Sequence, residues 1–389
     1  MKIAGIIAEY NPFHTGHACH MEKTREKCGA DYIICVISGH FTQRGEPAVY
    51  DKWARARAAL QNGADLVLEL PFFYATQSAE GFASGGVRIL NALRCVDFLS
   101  FGAENADISA MDRAASILAD EPPEFQTALK SALSKGVSFP AARAEALCSV
   151  LPGAAESLWT QPNNILGIEY LKALHRAKSR IEAVSIAREG GSYSSTGLHA
   201  KFSSANAIRA AIRGGNPACA PFVPGYAEYG EPVFPEAMFP FLLFSLRRMG
   251  VKGVGEIEGV SEGLEYRICE AARAAAGYTE LVEKIKSKRF TYTRIQRVLL
   301  YCLFGVTKEK AAALKNESLY ARVLGVREQS LPLLSLISAE SAVPVVTKAS
   351  GFPDSDLFRL DVLATDIYSL FTKKTAPAGR DFTERFPVI

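Results

Sequence analysis

The sequence predicts an α/β fold, a doubly wound parallel sheet, followed by a mainly helical C-terminal region. Three observations lead there. Short, near-continuous apolar runs recur at 3–8, 32–37, 66–70, 98–101 and 181–186, the pattern of parallel strands buried on both faces. Segments with helical character stand between them, as crossover connections require. Beyond a proline-rich stretch, 217–235, the text turns helical, with room for two short strands at 321–326 and 344–348. The 389 residues suffice for two domains. The expected division is a sheet unit over 1–216 with a helical insertion near 109–150, a connector over 217–235, and a helical unit over 236–389.

The elements follow in order. The first strand, Ile3 to Ala8, leads into the turn pair Asn11-Pro12, and a helix is expected from His17 to Lys27, ended near Gly29. After the second strand comes a polar, glycine-containing loop, Ser38 to Pro47, and Asp51 is placed to cap a helix that runs to Gln61. The third strand stops at Pro71, a helix spans about Ala79 to Leu93, and the fourth strand ends in the turn Gly102-Ala103-Glu104. Asn163-Asn164 opens the helix before the fifth strand, and Ser203 or Ser204 caps the one after it. In such sheets ligands bind at the carboxyl ends of the strands. One rim should therefore gather the loop at His14, the loop at Gln43, the segment after Leu70 and the turn at Gly102. Asp65 and Glu69 flank the third strand and read as structural acids.

Composition excludes some classes. The chain is 48% hydrophobic and 22% charged, and its net charge of +3 is too small to announce a partner. No apolar run is long enough to cross a bilayer, and no signal-peptide pattern opens the chain. The eight cysteines are scattered without a CxxC pair, so the expectation is small core residues in a cytoplasmic protein.

The chemistry concentrates at Ile6 to His20. A strand, a tight loop carrying His14-Thr15-Gly16-His17 and a helix N-terminus make an anion site, because amide N–H groups and the positive end of the helix dipole converge there. Two imidazoles add donors, and Gly16 lets the backbone approach a phosphate. This is the equipment of nucleotidyl transfer, in which catalysis is positioning plus stabilisation of charge on phosphate oxygens. A zinc site is the rival, with His14, His17 and His20 spaced by three, but no Cys or carboxylate stands at ligand spacing. A second feature is charge. Residues 281–330 hold eleven Lys or Arg against four acids, a net +7, which leaves −4 for the rest. Aromatics interleave with the bases in Lys284 to Tyr292; the segment reads either as a solvated face or, as the sharper hypothesis, as a phosphate-backbone footprint.

The stretch NPFHTGH resembles the signature of the HxGH nucleotidylyltransferases, and the Ser203 to Arg209 segment resembles their second, S-S-x-x-x-I-R type element. AEYNPFHTGH, SGHFTQRGEPA with DKWARARAAL, GADLVLELPF, SFGAEN, QPNNILGIEYLKAL, TRIQR and ATDIYSL together are similar to the bacterial tRNA(Met) cytidine acetate ligases. The resemblance implies an HxGH nucleotidylyltransferase-like Rossmann fold. It also implies a ligase that activates acetate with ATP, forming acetyl-adenylate, and acetylates the wobble cytidine of elongator tRNA(Met). Under it His14 and His17 are catalytic. ATP contacts fall on Ile7, Ala8, Glu9, Tyr10, Asn11, Pro12, Phe13, His14, Thr15, Gly16, His17, Ala18, Cys19 and His20. Gly102, Asn163, Asn164, Arg188, Glu189, Ser204 and Arg209 complete that set. Mg²⁺ accompanies the triphosphate without a dedicated protein site. Arg44, Lys52, Arg55, Lys286, Lys288, Arg289, Arg294 and Arg297 are the expected tRNA contacts. The sequence departs from the family pattern at His40, where Asn is expected, at Asn206, where Thr is usual, and at Ser192-Tyr193-Ser194-Ser195. A small-molecule adenylyltransferase and a non-catalytic RNA-binding protein are the alternatives. Neither explains both the intact histidine motif and the basic segment.

Overall fold

The computed structural model describes residues 1–153, 157–188, 198, 202–352 and 355–389. A seven-stranded sheet runs through the molecule in the order β5-β4-β1-β2-β3-β6-β7. Its strands are β1 (Ile3–Ala8), β2 (Tyr32–Ser38), β3 (Leu66–Leu70), β4 (Phe98–Ala103), β5 (Glu182–Ala187), β6 (Ala321–Val326) and β7 (Val345–Val346). The first five are mutually parallel, and each lies within two residues of its expected position. Along β1, β2 and β3 nearly every residue is buried, which is why these strands read as continuous apolar runs rather than alternating ones.

The chain steps outward from β1 to β3, then crosses back to place β4 on the other side of β1. This reversal opens a crevice beyond the carboxyl ends of β1 and β4. Helices Thr15–Cys28 and Lys52–Gln61 follow β1 and β2. The first ends on Gly29 in the left-handed conformation, and the second begins with the Asp51 carboxylate accepting from the Ala54 amide at 2.8 Å. Asp65 is structural as expected. Its carboxylate accepts from Arg25, from the Ile33 amide and from the Ser330 hydroxyl.

The sheet does not respect the expected division of the chain. β6 pairs antiparallel with β3, and β7 continues beside β6, so two strands of the 236–389 region extend the N-terminal sheet. The helix Asp356–Ser369 packs on the short helix Phe72–Ala75, where the Asp361 carboxylate accepts the Phe72 amide at 2.6 Å. The segment after Leu70 is accordingly buried core rather than rim: Phe72, Phe73 and Tyr74 are each under 5% exposed. A chain that leaves a sheet and returns to its edge gives no local signal of doing so, because β6 looks like any other short apolar strand. Between the connector and β6 lies the helical part, with helices Phe239–Gly255, Leu264–Ala274, Tyr278–Ile285, Tyr292–Phe304 and Lys308–Asn316. Among the described residues no helix is long and apolar enough to cross a membrane.

Candidate active site

A cavity of about 290 Å³ opens beyond the carboxyl ends of β1, β4 and β5. The site's expected residues Ile7, Ala8, Glu9, Tyr10, Asn11, His14, Gly16, His17, Cys19 and His20 line it from one side. Gly102, Asn163, Arg188, Ser204 and Arg209 line it from the others. Sequence distances of up to two hundred residues vanish at this rim because every one of these segments follows, or caps, an element that ends there.

The geometry of the histidines is specific. His14 is the N-cap of helix Thr15–Cys28, and its Nδ1 accepts the Gly16 amide at 3.1 Å. The Nδ1 of His17 accepts the His14 amide at 3.2 Å, so the two close a capping box built from imidazoles. Their rings stack with centroids 3.7 Å apart. With each Nδ1 serving as an acceptor, each neutral ring carries its proton on Nε2, and both present an N–H donor from a fixed tautomer. A side chain at position 16 would put its Cβ 2.9 Å from His14 Cε1. Gly16 thus makes room for the His14 ring as well as for a ligand.

The rings are held neutral. Burial, and then the charges of Arg188 and Arg209, bring His14 down to about 3. Burial first, with His14 and Arg188 behind it, lowers His17, and burial with Arg188 lowers His20 to about 4. Lys23, Arg44, Arg188 and Arg209 all line the cavity, whereas Glu9 is the only acid among its described lining residues. Glu9 is itself engaged, its Oε1 accepting the Gln43 amide at 2.8 Å. Arg209 donates to the Asn11 carbonyl at 2.7 Å and is bonded to the Asn206 side chain. A surplus of cations and neutral donors around one small space is the electrostatic signature of a polyanion site.

The opposite wall is apolar. Phe82, Phe101, Leu166 and Tyr170 line it, and Tyr170 is tied in place by its hydroxyl donating to the Ile7 carbonyl at 3.3 Å. Sequence reasoning missed all four, since each looks like ordinary helix or strand core until the rim is assembled. Lys23, one helical turn beyond His20, was legible from the i, i+3 spacing and was also missed.

Several expectations need correction. Pro12, Phe13, Thr15 and Ala18 do not line the cavity. Phe13 is fully buried and packs edge-on against Tyr10, with centroids 5.0 Å apart. Asn164 is also fully buried, its Oδ1 accepting the Glu104 amide at 3.0 Å and the Asn105 amide at 3.3 Å. It fastens the turn after β4 to helix Pro162–Ala177 rather than facing the cavity. Glu189 and the run Ser192 to Ser195 lie outside the described residues. His40 is buried, its Nδ1 3.3 Å from the Thr365 hydroxyl and its ring against Tyr368.

Two expected tRNA contacts are not at the surface at all. Lys52 and Arg55 are both 0% exposed. Lys52 bridges Glu69 and Asp381, each at 2.8 Å, and Arg322 joins the same two acids at 3.4 and 2.7 Å. Arg55 donates to the carbonyls of Glu9, Ser38, Gly39 and Tyr50, which secures the ends of β1 and β2 from behind. Charges this deep are committed to partners and present nothing to a phosphate backbone. Arg44 sits at the cavity itself.

The other basic residues stand on the helical part. Lys288 and Arg289 are exposed and Lys286 half-buried, near the start of helix Tyr292–Phe304. Arg294 donates to the Gly259 carbonyl and the Ser261 hydroxyl. Arg297 reaches the active-site loop, donating to the Gln43 carbonyl at 3.3 Å. The contact is close: Gly45 has φ +78°, and a Cβ there would meet the Arg297 backbone nitrogen at 2.4 Å. The basic helix therefore abuts the loop that lines the cavity.

A Rossmann-like sheet with an imidazole-capped helix at its switch point defines a nucleotidyl transferase of the HIGH class. The family described as HIGH Nucleotidyl Transferase matches residues 1–381. Within that class the chain belongs to the tRNA(Met) cytidine acetate ligase family. It is 41% identical to a protein of that name from Acetivibrio thermocellus over the full length of both chains. It is 39% identical to another from Caldanaerobacter subterraneus, with 98% of each covered. Among solved structures, Thermotoga maritima TmcAL bound with alpha-thio ATP superposes with a TM-score of 0.91 at 38% identity, covering 100% of both chains. The apo form of the same protein gives 0.93 at 39% identity, over 99% of each.

Proposed function

We propose that this chain activates acetate with ATP and transfers the acetyl group to the exocyclic amine of a cytidine in tRNA(Met). The observation that carries the reading is the neutral histidine pair, with Nε2–H donors fixed by backbone hydrogen bonds inside a cavity of surplus positive charge. In the first half-reaction an acetate oxygen attacks the α-phosphorus of ATP. A bond forms from that oxygen to phosphorus, the α–β bridge breaks and pyrophosphate leaves. His14, His17, the amides of the helix start and the guanidinium groups of Arg188 and Arg209 stabilise the charge gathered on the phosphate oxygens. The wall formed by Phe82, Phe101, Leu166 and Tyr170 suits the adenine ring. Mg²⁺ fits this donor set only as a companion of the triphosphate, with Glu9 as the one carboxylate among the described lining residues, and it would supply further charge neutralisation there. Lys286, Lys288, Arg289 and Arg297 support a tRNA-facing role for the helix beside the Gln43 loop, and the family's occurrence in bacteria is consistent with work in the cytoplasm.

The test is exchange of labelled pyrophosphate into ATP, with and without acetate, followed by transfer to a tRNA(Met) transcript. Exchange that requires acetate, together with acetylated cytidine, is the expected result. Exchange indifferent to acetate would assign the site to a small-molecule adenylyltransferase instead.

A further inference from the structure

Beside the nucleotide cavity lies a second opening of about 430 Å³ that shares three of its walls: Asn11, Asn206 and Arg209. Glu46 lines it and is the only acid among the described residues that do. Its outer edge is Phe234, with the exposed Arg213 guanidinium 4.6 Å from the ring centroid. We infer that this groove receives the acceptor cytosine, and that the Glu46 carboxylate removes the proton from its exocyclic amine during acetyl transfer. The inference rests on the ligase reading above and assigns a site and a base that the reading leaves open.

Four observations support it. The groove has the volume of a small-ligand site, within the usual range of about 300–1,000 Å³, and it meets the nucleotide cavity at Arg209. A base seated there lies next to the nucleotide cavity, with Asn11, Asn206 and Arg209 lining both openings. The groove's mouth carries an aromatic ring, Phe234, and the Arg213 guanidinium, which is paired with Glu236 in a half-exposed ion pair open to exchange with a phosphate. Glu46 is positioned by the Gln296 amide, which donates to its Oε1. Gln296 belongs to helix Tyr292–Phe304, so the helix bearing Arg294 and Arg297 also holds the base in place. Burial pushes the Glu46 carboxyl above its ordinary range, against the opposing pull of Arg209 and Arg44, which makes it the better proton acceptor near neutral pH.

The step has a definite demand for such a group. The amine nitrogen attacks the carbonyl carbon of acetyl-adenylate, the new N–C bond forms, and the C–O bond to phosphate breaks with its electron pair on AMP. AMP needs no proton to leave. The nitrogen, however, carries one proton too many until a base removes it. Here that proton passes to Glu46 and from there to solvent.

The experiment compares wild type and Glu46→Gln in two assays: acetate-dependent pyrophosphate exchange, and single-turnover transfer of acetyl from preformed acetyl-adenylate to a tRNA(Met) transcript. Transfer should fall about 100-fold or more, in the range general bases supply, while exchange persists, and the acidic limb of the transfer pH profile should disappear. A transfer loss of less than about tenfold, or equal loss in both assays, overturns the assignment. Should Glu46→Gln fail to fold, Arg213→Ala at the exposed mouth should raise the KM for tRNA about tenfold with exchange intact, and an unchanged KM removes the groove from the path. Absence of acetate-dependent exchange in the wild type would instead sink the ligase reading itself.

Discussion

Two clusters of cations sit within the same α/β body and are used in opposite ways. Around His14 and His17, Lys23, Arg44, Arg188 and Arg209 line a cavity with one acid, Glu9, among its described lining residues, and Glu46 beside it acts on Arg209 and Arg44. Behind the sheet ends, Lys52 and Arg322 face two acids, Glu69 and Asp381, with all four side chains at most 6% exposed. Among the described residues that line it, the first cluster holds more cations than acids. The second is neutral in sum and joins β3, β6 and the C-terminal helix Arg380–Thr383 to helix Lys52–Gln61. The difference teaches that a basic residue near a nucleotide site means nothing until its counter-ions are counted. Surplus marks a site, and balance marks a strut.

The strut offers the largest test. Lys52→Met removes the centre of the balanced cluster and leaves Glu69 and Asp381 sharing Arg322 alone. Breaking a buried pair by taking away one partner costs about 3–5 kcal/mol. Chemical denaturation should therefore show a loss of that size, with an unchanged slope against denaturant. A loss below about 1 kcal/mol would mean the cluster is not a strut. ATP affinity is not expected to change in the molecules that remain folded, because Lys52 does not line the cavity.

The surplus cluster responds differently. His17→Ala deletes one Nε2–H donor and half of the capping box, and the acetate-dependent exchange should slow about 10²–10³-fold, as for loss of one preorganised donor to a developing oxyanion. Stability should fall only by about 1 kcal/mol, the usual worth of a cap. Affinity for tRNA should stay within a factor of two or so, since the ring lies inside the nucleotide cavity. Equal losses of exchange and of tRNA binding would erase the distinction between an activation centre and a separate RNA surface.

These contrasts also explain what the sequence could and could not disclose. The five parallel strands were legible because burial on both faces writes itself as unbroken apolar runs, and the HTGH loop was legible because its residues are consecutive. Asp51 and Ser204 were legible as caps, and both accept the amide three residues on. The fate of β6 was not, since pairing with β3 is a contact across some 250 residues of chain and an edge strand has no signature of its partner. The same limit misassigned Lys52 and Arg55: their acids and carbonyls come from Glu69, Asp381, Glu9 and Ser38, far away along the chain. The apolar cavity wall was invisible for a related reason. Tyr170 and Phe101 differ from core aromatics only in what they face, and that is settled by tertiary structure.

A third population of cations sharpens the rule, because it is exposed. Lys288 and Arg289 stand at the surface, and the pair Arg289–Glu262, 3.7 Å apart with side chains 71% and 57% exposed, is too open to neutralise either charge. Lys286 is partly engaged, its Nζ donating to the Ser287 carbonyl at 2.5 Å and lying 5.3 Å from the Tyr292 ring centroid. Replacing all three together, Lys286→Glu, Lys288→Glu and Arg289→Glu, should leave folding and acetate-dependent exchange nearly untouched. Binding of tRNA(Met) should weaken about tenfold at moderate salt. The slope of log affinity against log salt should also become shallower by about 2, since each phosphate contact contributes somewhat less than one unit. Surplus charge at a surface, unlike surplus in a cavity, is screened and divided among many contacts, so its removal costs affinity gradually rather than abolishing chemistry. If neither affinity nor slope moves, this face is merely solvated, and the tRNA must approach through the side of the molecule that carries Arg213 and Phe234.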